Sequence, residues 1–141
     1  KYGDFSKFLS LPATAPLRSR LDVIKCLKQL KSRNDVILTI TEANRNPWFN
    51  MVKKNQNGLL ELAVNSTKGI FRRQDAPLVY DLTTVAYVLN PSFILENKSI
   101  WDGDVNGIFI PKERALDIDT DYDFKIAEYL LSKVKERKKE N

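Results

Sequence analysis

Asp117 and Asp119 stand two residues apart in Asp117-Ile118-Asp119-Thr120, where the short apolar segment Ala115 to Ile118 reads as a strand. Alternation along a strand sends positions i and i+2 to the same side, so the two carboxylates are expected to converge. Like charges held together are unfavourable unless a cation or an arginine neutralises them. Magnesium uses one or two carboxylates together with phosphate oxygens of a substrate, which fits this pair. The same two residues read equally well as caps in a strand-to-helix loop, where Thr120 or Asp121 also stands ready.

Two further segments carry groups suited to anions. In Arg72-Arg73-Gln74-Asp75, adjacent guanidiniums stand in a stretch with few other charges. Arginine grips carboxylates and phosphates bidentately, although a surface pair bound to Asp75 or another acid accounts for the pattern too. Pro12-Ala13-Thr14-Ala15-Pro16-Leu17-Arg18 lies where a strand gives way to a helix, the edge at which open α/β sheets bind ligands. Its prolines stiffen the loop, Thr14 offers a hydroxyl, and Arg18 offers an anion contact near a helix N-terminus. A rigid connection with a surface arginine is the plainer alternative.

What is missing narrows the chemistry. The 141 residues contain no histidine, which excludes Ser-His-Asp triads and His-ligated zinc within this chain. The one cysteine, Cys26, rules out an internal disulfide and reads as a small core residue. Carboxylates, basic side chains, hydroxyls and backbone amides remain, a set that suits hard, oxygen-liganded metals. The net charge of +5 is partly gathered in Lys133, Lys135, Arg137, Lys138 and Lys139. Basic residues suit a helix C-terminus, and no aromatic residues interleave there to stack on bases, so no nucleic-acid partner is expected. No apolar run approaches the roughly 20 residues of a membrane span, and the first residues lack a secretion-signal core. A cytoplasmic protein without a membrane partner is the expectation.

The elements that must position these residues follow from periodicity. Phe8 to Leu11 reads as a buried strand, followed by a helix capped near Ser19 with Leu21, Ile24, Leu27 and Leu30 on one face. Val36 to Ile40 is a β-branched and aliphatic run of strand length, so strand, helix and strand make a βαβ unit and a mostly parallel sheet. From Asn44 to Ala76 the pattern breaks into short segments around Asn57-Gly58, a hairpin turn signal when both residues take positive φ. That stretch reads as a hairpin arm leaving the sheet. Val85 to Leu89 returns to a buried strand, Asn90-Pro91 opens a short helix to about Glu96, and Val105 to Ile110 is a further strand. The last helix runs from about Asp121 to Lys138 with Phe124, Ala127, Leu130 or Leu131, and Val134 inward.

Taken together and in this order, the three motifs resemble those of the acylneuraminate cytidylyltransferases, the CMP-sialic acid synthetases. Leu11 to Arg18 is similar to the family's Leu-x-Pro-Thr-Ser-Pro-Leu-Arg segment, and Arg72 to Asp75 to its Arg-Arg-Gln-Asp motif. Asp117-Ile118-Asp119-Thr120, with Asp123, Ala127 and Glu128, looks like its Asp-Ile-Asp-Thr-x-x-Asp-x-x-x-Ala-Glu signature. The resemblance implies a Rossmann-like α/β fold, mostly parallel and flanked by helices, with a β-hairpin arm over about 44–76 that makes a homodimer. It implies transfer of CMP from CTP to a nine-carbon acidic (nonulosonic) sugar with release of pyrophosphate. Asp117 and Asp119 would hold Mg2+ and act as the catalytic pair. Thr14, Arg18, Arg73, Gln74, Tyr87 and Phe109 would bind substrate, Arg73 through the sugar carboxylate and Tyr87 lining the sugar pocket.

Departures from the pattern touch the sugar pocket. Where the family often has Gln before Pro-Thr-Ser, this chain has Pro12-Ala13-Thr14-Ala15, and Thr83-Thr84 replaces an Asn-Gly ahead of the pocket tyrosine. These changes leave room for an acid other than N-acetylneuraminate, such as legionaminate. The family's first strand and its glycine- and serine-containing phosphate loop have no counterpart here. The chain is therefore expected to be the C-terminal part of such a domain, catalytically incomplete alone. The alternative is a non-catalytic sugar- or nucleotide-binding remnant of the same fold.

Overall fold

The computed structural model describes residues 5–31, 33–65 and 69–137, with side chains as far as residue 133. Two compact units emerge, one from the segments up to Thr41 and from Leu82 onward, the other from Glu42 to Asp81. In chain order the elements are β1 (Phe8–Ser10), α1 (Arg20–Gln29), β2 (Val36–Glu42), β3 (Val52–Lys54), β4 (Leu60–Leu62), β5 (Tyr80–Leu89), α2 (Pro91–Glu96), β6 (Val105–Phe109) and α3 (Asp121–Arg137).

The main sheet has the order β1-β5-β2-β6. β1 runs against β5, with Phe8 opposite Leu89 and Ser10 opposite Tyr87, whereas β2 and β6 run together, with Ile40 opposite Phe109. Just past β5, the Asn90 N–H donates to the Asp35 carbonyl just before β2 at 2.8 Å, so β5 ends where β2 begins. β1, β2 and β6 therefore point the same way and finish at one edge, with β5 reversed among them. The fold is the expected α/β class, and its sheet is mixed: three of the four strands point one way, and β5, lying between β1 and β2, runs against both. β1 and β2 are not neighbours, because β5 lies between them.

Alternation on β2 sends its apolar side chains to both faces, as the continuous run requires. Ile37 packs with Ala86, Val88, Cys26 and Leu30 on the α1 side; Val36 and Leu38 pack with Leu89 and Phe93 on the α2 side. Cys26 is fully buried, and burial followed by the nearby Asp22 charge pushes its thiol up to about 11. It is a core residue. The buried hydroxyl of Thr39 bonds the carbonyls of Thr83 and Ala86 at 3.2 Å each and accepts from the Thr83 hydroxyl at 2.7 Å, tying β2 to β5.

The second unit carries the antiparallel hairpin β3–β4, with Lys54 opposite Leu60. Its turn differs from the two-positive-φ form. The Gly58 N–H bonds the Asn55 carbonyl at 3.0 Å and Gly58 alone takes φ +78, which makes a type I turn closed by a glycine bulge. The Asn55 side chain accepts the N–H groups of Asn57 and Leu59, both at 3.0 Å, fixing the loop from within.

Several expected details are corrected. Ala115 to Ile118 is not a strand: the Ala115 N–H closes a 3-10 turn on Lys112, and the segment continues without ladder partners. β1 is an edge strand, so Phe8 and Leu11 are 42% and 45% exposed rather than buried. The inward face of α1 is Asp22, Cys26 and Leu30, with Leu27 packed against the same core, and Leu21 is exposed; Asp22 takes an inward place because Arg114 and Ser19 bond its carboxylate. On α3, Ala127 is buried while Phe124 is 55% exposed. The side chains of Val134, Lys135 and Arg137, and all of Lys68, Lys138 and Lys139, lie outside the described residues.

Candidate functional site

At the shared strand edge, the 12–18 loop is built to hold one shape. The Arg18 guanidinium donates to the carbonyls of Ala15, at 3.0 Å, and Pro12, so it pins the loop on itself while keeping further donors. Ala15 drops into a small core with Val85 and Ile110, against which Ala115 packs. The Thr14 carbonyl accepts the Ile118 N–H at 2.9 Å. Thr14 itself is exposed. Loop 12–18 and the Asp117-bearing loop are thereby fastened together.

Asp117 lies in the second of these loops. It is partly buried, and its Oδ1 is buried with no hydrogen-bond partner. A desolvated carboxylate oxygen without a partner is costly and calls for a cation or a donor. Nearby stands Tyr87, at the place on β5 opposite Ser10. Burial raises its phenol above the ordinary value, and the Asp117 charge raises it further, so Tyr87 keeps its proton and can donate. Asp119 is exposed, two residues on. Because this stretch is not a strand, the two carboxylates owe their placing to the loop ties and not to strand alternation.

Neither aspartate caps α3. Thr120 does so, with Asp123 as its partner: Asp123 Oδ2 accepts from the Thr120 N–H at 2.9 Å, and the Thr120 hydroxyl accepts from the Asp123 N–H at 3.3 Å. The Thr120 hydroxyl bond, then the Thr120 and Asp119 backbone N–H groups, hold the Asp123 carboxyl below its ordinary value. Among the described residues, no group of three or more acidic or thiol side chains is placed to hold a metal alone. Two carboxylates, one with an orphaned oxygen, fit a magnesium ion that draws its remaining ligands from substrate and water.

Of the remaining predicted residues, one ends a strand at this edge and two belong to the second unit. Phe109 ends β6 and is 54% exposed. Arg73 and Gln74 belong to the second unit, where they line a cavity of about 430 Å³ with Glu42, Arg45, Asn46 and Leu78. Arg73 donates to the Ala43 carbonyl at 3.0 Å, and among the described residues neither Arg72 nor Arg73 is in an ion pair. The reading of Arg73 as a surface arginine bound to Asp75 is thus not what the structure has. The buried Asn46 braces this cavity, donating to the Pro77 carbonyl at 2.9 Å and accepting from the Trp48 N–H at 3.0 Å.

One pair escaped the sequence reading. Asp22, 1% exposed, takes a bidentate grip from Arg114, with bonds of 2.8 and 2.9 Å. Burial alone would raise this carboxyl; the bonds from Arg114 and Ser19 outweigh it and bring it down to about 2. Asp22 is also the N3 partner in the capping box of Ser19. The Ser-x-x-Asp spacing signalled that box, while nothing in the spacing pointed to Arg114.

No family model matches the chain. It is 38% identical over 130 residues to post-translational flagellin modification protein B of Campylobacter coli, which covers 90% of this chain and 53% of that protein. It is 40% identical over 98 residues to CMP-N,N'-diacetyllegionaminic acid synthase of Campylobacter jejuni, covering 68% of this chain and 40% of that one. It is 26% identical over 124 residues to an N-acylneuraminate cytidylyltransferase of Streptococcus agalactiae, covering 87% of this chain and 30% of that protein. The chain thus spans about half or less of the relatives it matches. Among solved structures, 4-diphosphocytidyl-2C-methyl-D-erythritol synthase of Anaerococcus prevotii shares the fold, with a TM-score of 0.58 at 15% identity over 90% of this chain and 59% of that one.

Proposed function

We propose that this relative of the acylneuraminate cytidylyltransferases is the C-terminal part of an enzyme that transfers CMP from CTP to a nonulosonic acid, with release of pyrophosphate. The observation that carries the reading is Asp117: a buried, unpartnered carboxylate oxygen beside a proton-bearing Tyr87, at the edge where three strands end. Asp117 and Asp119 are the residues that would hold magnesium, which when bound offsets charge on the triphosphate. Thr14 and Arg18 shape the loop beside them. Tyr87 donates to substrate, and Phe109 supplies an apolar surface. Arg73 and Gln74 take the acidic sugar, the guanidinium on its carboxylate.

A legionaminic-type acid is the preferred acceptor, since the synthase of that name is 40% identical where the neuraminate enzyme is 26%. The arm makes a homodimer, in keeping with the exposed Leu59, Leu60, Phe71 and Leu78 of the second unit. The protein works in the cytoplasm, where CTP is found; among the described residues no helix is long and apolar enough to cross a membrane.

The test is pyrophosphate release by the full-length protein that contains this chain, given CTP and in turn sialic, legionaminic and pseudaminic acids, with and without magnesium. Release is expected only when a nonulosonic acid and magnesium are both present, fastest with the legionaminic acid. Binding of CTP with no release in any combination would instead leave a non-catalytic remnant.

A further inference from the structure

Asp117 sits between two fixed points. One residue later, the Ile118 N–H is held by the Thr14 carbonyl at 2.9 Å. Three residues earlier, Arg114 ends a 3-10 turn and reaches back to α1, where its Nε and Nη2 meet the two oxygens of Asp22 at 2.8 and 2.9 Å. Asp22 in turn accepts the Ser19 N–H at 3.0 Å, and Ser19 directly follows the Arg18 that pins the 12–18 loop. A closed ring results: loop 12–18, Ser19, Asp22, Arg114, Asp117, Ile118 and back to Thr14.

We infer that Asp22 and Arg114 are positioning residues for the Asp117 carboxylate, setting the register of the loop that carries it. Three observations favour this over a role in stability alone. The grip is a fork on both carboxylate oxygens, which fixes angle as well as distance. The Asp22 side chain is buried and that of Arg114 partly so, and taking such charges out of water offsets much of their attraction, so the pair specifies one arrangement more than it adds net stability. The loop it anchors lacks ladder hydrogen bonds, so no strand pairing holds Asp117 in place. Residues that hold a ligand from behind typically matter by roughly ten- to hundred-fold in metal affinity or activity.

The inference rests on the reading of Asp117 as a magnesium ligand, and the experiment separates the two. In the full-length protein, magnesium titrations of pyrophosphate release would be compared for the unaltered protein, Asp117→Asn, Arg114→Met and Arg114→Lys, with a melting curve for each. Asp117→Asn is expected to abolish turnover. Arg114→Met is expected to raise the magnesium half-saturation roughly ten-fold or more. Arg114→Lys, which keeps the charge but not the fork, is expected to recover only part of that loss at near-normal melting temperature. Full turnover in Asp117→Asn overturns the metal reading and the inference together. Loss in Asp117→Asn with an unchanged magnesium titration in folded Arg114→Met overturns the inference alone. Should Arg114→Met not fold, an unchanged titration in Arg114→Lys does the same.

Discussion

The Asp123 carboxylate accepts both the backbone N–H and the hydroxyl of Thr120, at 2.9 and 2.7 Å, and so closes the N-terminus of α3. The acidic signature thereby divides into two jobs. Thr120 and Asp123 start the helix, and the side chains of Asp117 and Asp119 take no part in that cap. Asp123→Ala is expected to lower the melting temperature and leave the magnesium titration unchanged, whereas Asp119→Asn should abolish turnover in a protein that melts normally. Because the folded Asp123 carboxyl is held below its ordinary value, its contribution is complete above that value and fades as pH falls through the lower one. Two variants with the same profile in both measurements would refute the division.

Asp22 gives the acid sensitivity a definite window. Its folded value is about 2 against an ordinary 3.8, so the pair's contribution is fully present above about pH 4 and is lost as pH falls toward 2. A depression of that size is worth about 2 kcal/mol. Urea unfolding at pH 6 and at pH 2.5 should show Asp22→Asn losing less stability on acidification than the unaltered protein, by the greater part of that amount. Parallel losses in both would mean the carboxylate is not held as described.

For Arg73, the expectation concerns which substrate suffers. A charge-assisted hydrogen bond to a carboxylate is worth roughly 1.5–3 kcal/mol. Arg73→Ala should therefore raise KM for the sugar acid by about ten-fold or more, with KM for CTP held constant. Steady-state kinetics with each substrate varied in turn would decide. Equal rises for both substrates would remove Arg73 from the sugar.

Gly58 offers a test of the arm. Its φ of +78 is unfavourable for any residue with a side chain, although no heavy atom lies within 4 Å of where a Cβ would stand. Gly58→Ala should cost about 1 kcal/mol through the backbone alone. Gly58→Asn, which tolerates left-handed geometry, should recover part of it. An alanine variant as stable as the original in urea would show that the turn changes form.

The hydrophobic runs made the sheet legible, because Val36 to Ile40 has to be covered on both faces and Asn90-Pro91 has to open a helix. The reversed place of β5 was not legible, since strand direction leaves no mark on periodicity. The short run Ala115 to Ile118 misled for a related reason: four residues with an apolar bias are as compatible with a loop packed by Ala115 as with a strand. Residue types at motif spacing singled out Asp117 and Asp119 at the strand edge and Arg73 and Gln74 in the second unit. The Asp22–Arg114 pair lies 92 positions apart, and no local pattern can announce a contact of that range.

The second unit leaves the sheet from β2 at Glu42 and rejoins it through β5, and these two strands are neighbours. An insertion anchored at adjacent strands is a closed loop as far as the sheet is concerned. The entropy of closing such a loop grows slowly, by about 0.6 kcal/mol for each doubling in length. The segment from Glu42 to Asp81 can therefore gain or lose residues over evolution with little penalty to the pairing of β2 with β5. Changes within that segment can accumulate while the Asp117 edge stays as it is.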